Sequence, residues 1–217
     1  DGRPLALLAN YSMHYFGAPA VSADYYGRFS EGIGGLIGAR TGGPPFVGMM
    51  SQGTSGDSHW MDYSKPKKNI TLDEYSEAMM RAAAAAFPKI QYRDHVSLAM
   101  AETKLTLRRR VADEARLAWA RKLVGEMGDR IPKNLPEVYA REQVLIAAEP
   151  ERELKLQALR IGDLGITAIP NEVFAITGLK LKAQSPLQPT FNIELANGAE
   201  GYIPPPEQHK LGGYTTW

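Results

Sequence analysis

Few side chains in this sequence can carry chemistry. It has four histidines, His14, His59, His95 and His209, and no cysteine. Thiolate catalysis and disulfides are therefore excluded. His14 stands in "NYSMHYFG", a few residues past a short apolar run, and His59 follows a second such run in the same way. In α/β sheets the loops leaving strand ends are where ligands gather, so these two histidines are candidates for one site. Glu172, in "AIPNEVFAITG", reads as part of the opening turn of a helix. A carboxylate there is more simply a partner of the helix macrodipole than a ligand. Tyr202 and Tyr214 bracket the proline-rich stretch "YIPPPEQHKLGGY", where aromatic packing under a loop is the plainer reading.

The segment "GTSGDSHW", residues 53–60, raises the question of a serine nucleophile at Ser58. The Gly-Asp-Ser box of trypsin-like enzymes continues with small residues whose backbone N–H groups form the oxyanion hole; here His59-Trp60-Met61 follow. The Gly-x-Ser-x-Gly elbow is one spacing short, since Gly56 comes directly after Ser55. A phosphate-binding loop would need a following Gly-Lys-Ser/Thr, which is missing.

The elements that must position these residues alternate along the chain. Leu5–Asn10 ("LALLAN") and Phe46–Ser51 ("FVGMMS") have the pattern of buried strands. His95–Leu107, Leu154–Ile161, Gly165–Ile169 and Thr190–Leu195 read as further strands, with a hairpin at Gly162-Asp163-Leu164. Helices are expected over Asp24–Arg40, which is rich in glycine, over Leu72–Phe87 behind a capping box at Thr71, and over Ala112–Met127, Pro136–Ala148 and Pro170–Lys182. From Ala196 to Gln208 proline excludes regular pairing. Interspersed strands and helices together with a hairpin predict an α/β (α+β) domain: a mixed sheet covered by helices, part of a larger layered catalytic domain.

A formal net charge of +1 gives no electrostatic case for nucleic acid or an anionic membrane as the main partner. No run approaches the ~18–20 apolar residues of a membrane span. The chain opens on what reads as a strand and stops abruptly at Trp217, so it reads as a piece of a longer polypeptide.

Taken in order, "LLANYSMHYFG", "VSADYYG", "MMSQGTSGDSHW", "AIPNEVFAITG" and "GYIPPPEQHKLGGY" resemble the neutral/alkaline ceramidase family, zinc amidases that hydrolyse the N-acyl bond of ceramide. The segments span nearly the whole chain; each is loose alone, and the ordered set is more specific. The resemblance implies that His14, Glu172 and Tyr202 are zinc ligands and that Tyr214 hydrogen-bonds the reacting carbonyl oxygen. Zn²⁺ accepts such N and O donors in a tetrahedral shell and lowers the pKa of a bound water to about 7, giving a nucleophile without a serine. By the same resemblance a fourth ligand belongs to a His-x-His segment upstream of the opening strand, and a substrate-binding arginine belongs there too. Neither has a counterpart here. Residues 1–217 then read as a single domain, a C-terminal portion of the catalytic domain, its metal site completed by a preceding segment or a separate N-terminal chain. Family members are exported or membrane-associated, but this segment carries no address.

The departure lies in "GTSGDSHW". The family has Gly-Asp-x-Ser-Pro-Asn there, its serine facing the catalytic centre. Without a gap His59 takes that place; with a one-residue gap Ser58 does. His59 is the preferred member, relaying a proton to the leaving amine, with Asp57 or Ser58 holding the loop. The expected substrate is a small-molecule or lipid-like amide. The alternatives are a metal-dependent hydrolase of another ester or amide, and a degenerate member that binds without catalysis.

Overall fold

The computed structural model describes residues 2–17, 19–39 and 42–216. The chain forms two compact units, one from Asp1–Glu102 with Leu156–Trp217 and one from Thr103–Lys155.

In the larger unit, β1 (Ala6–Tyr11) pairs in parallel with β2 (Val47–Gln52), from Ala6 opposite Val47 to Tyr11 opposite Gln52. The crossover between them is α1 (Asp24–Leu36), which ends short of the expected Arg40; Arg40 itself lies outside the described residues. α2 (Leu72–Ala86) begins at the capping box foreseen at Thr71: the Thr71 side chain accepts from Glu74 N–H, and Glu74 answers on Thr71 N–H. The core gathers Met13, Tyr25, Phe29, Ile33 and Met79, so the Gly-rich helix buries its aromatic and aliphatic stripe against α2 and the sheet. Gly48 permits this approach, because a Cβ there would lie 2.8 Å from the Ser30 carbonyl oxygen of α1. Among the described residues, only one face of the β1–β2 pair is covered. Leu8, Val47 and Met49 remain 46%, 49% and 43% exposed, where the sequence predicts buried strands.

A second sheet has the order β3 (Leu98–Arg108), β4 (Glu151–Ile161), β5 (Leu164–Ala168), β7 (Thr190–Ile193). β4 and β5 form the expected antiparallel hairpin, with Ile161 opposite Leu164, whereas β5 and β7 run parallel. The sheet is mixed, as predicted. Where β7 ends, Glu194 N–H donates to the Gln52 carbonyl at 3.0 Å and links it to β2.

The predicted helix over Pro170–Lys182 is shorter. Glu172–Val173 form a two-residue strand, β6, in parallel register with β8 (Tyr202–Ile203), and the helix α5 starts only at Ala175 (Ala175–Gln184). The cause is backbone pairing: Glu172 N–H donates to the Gly201 carbonyl at 3.0 Å. Regular pairing thus enters the stretch from which proline was expected to exclude it, though only over the two residues before Pro204. A short helix α6 (Pro206–His209) and a 3-10 turn at Tyr214–Thr216 follow.

The smaller unit holds α3 (Glu114–Met127) and α4 (Leu135–Ala148), capped by the side chains of Asp113 and Asn134. Both helices are those expected, starting two residues later and one earlier than predicted. The Arg130 guanidinium grips the Glu137 carboxylate at 2.6 and 2.7 Å.

Candidate metal centre

His14 is held from both sides of the chain. Tyr25 OH donates to the Met13 carbonyl at 2.8 Å, and the Asp24 carboxylate accepts from Phe16 N–H and Gly17 N–H. The "ADYYG" segment at the start of α1 therefore acts as a clamp on the loop leaving β1. The imidazole Nδ1 lies 2.7 Å from the Ser55 carbonyl oxygen, which makes Nδ1 the protonated nitrogen and turns Nε2 toward the site.

Two partners meet Nε2. A carboxylate oxygen of Glu172 lies 3.0 Å away and the Tyr202 hydroxyl 3.1 Å away. Glu172 and Tyr202 are opposite each other in the β6–β8 ladder, which places their side chains together. Glu172 thus owes its position to a strand and not to a helix macrodipole. Tyr214 packs edge-on against Tyr202, ring centroids 5.3 Å apart. Burial, then hydrogen bonding with Tyr214 and Glu172, pushes the Tyr202 phenol well above its ordinary pKa.

These donors suit zinc. An imidazole nitrogen and a carboxylate are ordinary Zn²⁺ donors and a phenol oxygen is an unusual third, and atoms bound at ~2.0–2.1 Å around a tetrahedral ion sit roughly 3.3 Å from one another. The separations of 3.0 and 3.1 Å are close to that edge. Among the described residues no three His, Cys, Asp or Glu side chains form a metal cluster, since the third donor here is a tyrosine.

The "GTSGDSHW" segment forms the floor. Gly56 N–H donates to the Val173 carbonyl at 2.8 Å, and a Cβ at Gly56 would stand 2.7 Å from the Glu172 carbonyl oxygen, so only glycine lets the loop lie this close to β6. Asp57 accepts the Ala175 N–H at 2.7 Å and thereby serves the first turn of α5. Ser58 engages through its backbone: its N–H donates to the Ser55 carbonyl at 2.9 Å and its carbonyl accepts His14 N–H at 3.4 Å. His59 is exposed, beside Trp60 and Tyr63. Partial desolvation of the ring, then repulsion by His14, lowers its pKa, which favours the neutral imidazole. Trp60 stacks on Phe16 at 4.9 Å and so seals the loop against the α1–α2 core.

Sequence reading missed Glu194. This residue is 2% exposed, and its carboxylate accepts Ser55 N–H and Val173 N–H, both at 2.9 Å, as well as the Ser55 hydroxyl at very short range. Burial raises its pKa against the opposing effect of those hydrogen bonds. Through Ser55 it fixes the carbonyl that orients His14. Nothing in the spacing of "FNIELANG" signals this role, because the partners are backbone groups remote along the chain.

With this geometry the chain has the fold of a ceramidase-like domain, present in part and divergent in sequence. The neutral ceramidase from Pseudomonas aeruginosa superimposes with a TM-score of 0.62 at 14% identity, over 98% of this chain and 40% of that one. A ceramidase complexed with C2 gives a TM-score of 0.60, also at 14% identity, over 98% of this chain and 42% of that one. The chain therefore spans about two fifths of the length of either structure. No protein-family model matches the sequence, and no curated protein sequence does.

Proposed function

We propose that this chain carries most of the active centre of a zinc-dependent, ceramidase-like hydrolase that cleaves an N-acyl amide bond. The observation that carries the reading is the meeting of His14 Nε2 with the Glu172 carboxylate and the Tyr202 hydroxyl at 3.0 and 3.1 Å. His14, Glu172 and Tyr202 would hold the ion. When bound, zinc would supply Lewis acidity toward a carbonyl and a water of lowered pKa.

The remaining steps belong to the chain's own side chains. The Ser55 carbonyl keeps the proton on His14 Nδ1, leaving the Nε2 lone pair for the site. Tyr214, beside Tyr202, donates a hydrogen bond from its hydroxyl to the carbonyl oxygen of the amide as negative charge develops there. His59, whose lowered pKa favours the neutral imidazole, takes a proton from the attacking water and passes it to the departing amine. Asp57 and Ser58 hold the floor.

Elemental analysis of the purified protein, combined with assays on an N-acyl amide and the matching ester, tests the reading. About one zinc per chain and faster turnover of the amide are expected. A zinc-free, fully active protein would refute the metal, and exclusive ester turnover would refute the amide.

A further inference from the structure

The outer edge of β1 opens on a groove of about 550 Å³. Five consecutive residues of the strand, Leu7 to Tyr11, line it, facing Ala78, Ala82 and Ala86 of α2. Consecutive lining is the mark of an edge-on approach, since the faces of a strand expose only alternate residues. The polarity of that edge follows from the register. The Leu5 and Tyr11 carbonyls accept from Val47 and Gly53, so the odd residues between them turn their backbone groups to β2. Ala6, Leu8 and Asn10 turn theirs outward, and among the described residues β2 is the strand that pairs with β1.

We propose that this groove receives an extended polypeptide segment that adds a strand to β1, contributed by the remainder of the larger fold. Three observations favour that occupant. The outward N–H and C=O groups of Ala6, Leu8 and Asn10 need hydrogen-bond partners, which a strand supplies and an acyl chain of equal volume does not. The β1–β2 pair is parallel and apolar over its first four residues, Ala6 to Ala9 and Val47 to Met50, a pattern of sheets enclosed on all sides, yet Leu8, Val47 and Met49 stand exposed. The chain also accounts for only about two fifths of the length of the structures whose fold it shares, which leaves polypeptide to fill the place.

Residue-resolved hydrogen exchange on the protein purified from the cells that make it tests this independently of any metal. The amides of Ala6, Leu8 and Asn10 are expected to exchange at least ~100-fold more slowly than exposed amides of the same sequence. That protection should persist after delipidation and after dilution. Exchange at exposed rates would overturn the proposal. Protection lost on delipidation would assign the groove to a lipid, and protection that fades with a dissociating dimer would assign it to a second copy; either also overturns it. Leu8→Pro removes an outward donor from an edge position, where proline is tolerated. It is expected to release Ala6 and Asn10 while Leu7 and Ala9, bonded to β2, stay protected. Continued slow exchange at Ala6 and Asn10 in that variant counts against a paired strand. If Leu7 and Ala9 are released too, the variant has lost the sheet and the unsubstituted protein decides alone.

Discussion

The Nε2 atom of His14 and a carboxylate oxygen of Glu172 lie 3.0 Å apart, brought together from two elements by a clamp at each. Asp24 and Tyr25 fix the loop of His14, and the β6–β8 pairing fixes Glu172 beside Tyr202. If the three side chains hold zinc, His14→Ala and Glu172→Gln each weaken zinc binding by more than the roughly 10–100-fold typical of changes around a metal's outer shell. Both variants should also lose amide hydrolysis. Competition with a calibrated chelator measures the first effect. Zinc affinity unchanged in both variants would remove these residues from the metal shell.

Tyr214→Phe separates binding from chemistry. Removing the hydroxyl leaves the ring to pack on Tyr202 but takes away its hydrogen bond to that phenol, so zinc affinity should fall far less than in His14→Ala or Glu172→Gln. The rate constant kcat should fall by about 10²–10³-fold, the range measured when one oxyanion donor is lost, with little change in KM. A rise in KM with kcat intact would instead make Tyr214 a substrate-binding group.

Much of this centre is legible in the sequence, for reasons particular to each residue. His14 stands just past an apolar strand, and such positions collect ligands. The capping box at Thr71 and the Gly162-Asp163 hairpin are local chemistry and appear where expected. "PNEVFAITG" has a helix-like start at Glu172, but the two-residue ladder with Tyr202 outcompetes the first turn. Such a ladder is too short to leave a periodic trace. Glu194 left none either, since its partners are the backbone amides of Ser55 and Val173. Likewise the role of Asp57 depends on the Ala175 N–H, which lies in a segment far along the chain.

Glu194 offers a sharper contrast between substitutions. Glu194→Ala strands the buried donors of Ser55 and Val173, and each unsatisfied group costs about 1–3 kcal/mol. Glu194→Gln should cost much less, because its amide oxygen can still accept both N–H groups. Because Ser55 orients His14, the alanine variant should also bind zinc about 10–100-fold more weakly. Urea unfolding curves give the stability difference, and chelator competition gives the affinity. Equal losses in the two variants would show that Glu194 acts through shape alone.

The smaller unit should respond to acid in a defined window. The Arg130 guanidinium beside Glu137, helped by the Lys133 N–H, holds that carboxyl at about 2, against an ordinary value of 4.5. A folded-state value below the unfolded one means that the folded state binds the proton less readily. The contribution of the pair is therefore complete above about 4.5 and disappears as the pH falls from there toward 2. Since Arg130 is partly exposed, solvent screening keeps the effect modest. Glu137→Gln should lower the Tm at pH 7, and the gap between the two proteins should narrow through that window. Circular dichroism melts across the range provide the measurement. A gap that does not change with pH would mean that the Glu137 side chain stabilises the turn before α4 through the hydrogen bond it accepts from Lys133 N–H, independently of its charge.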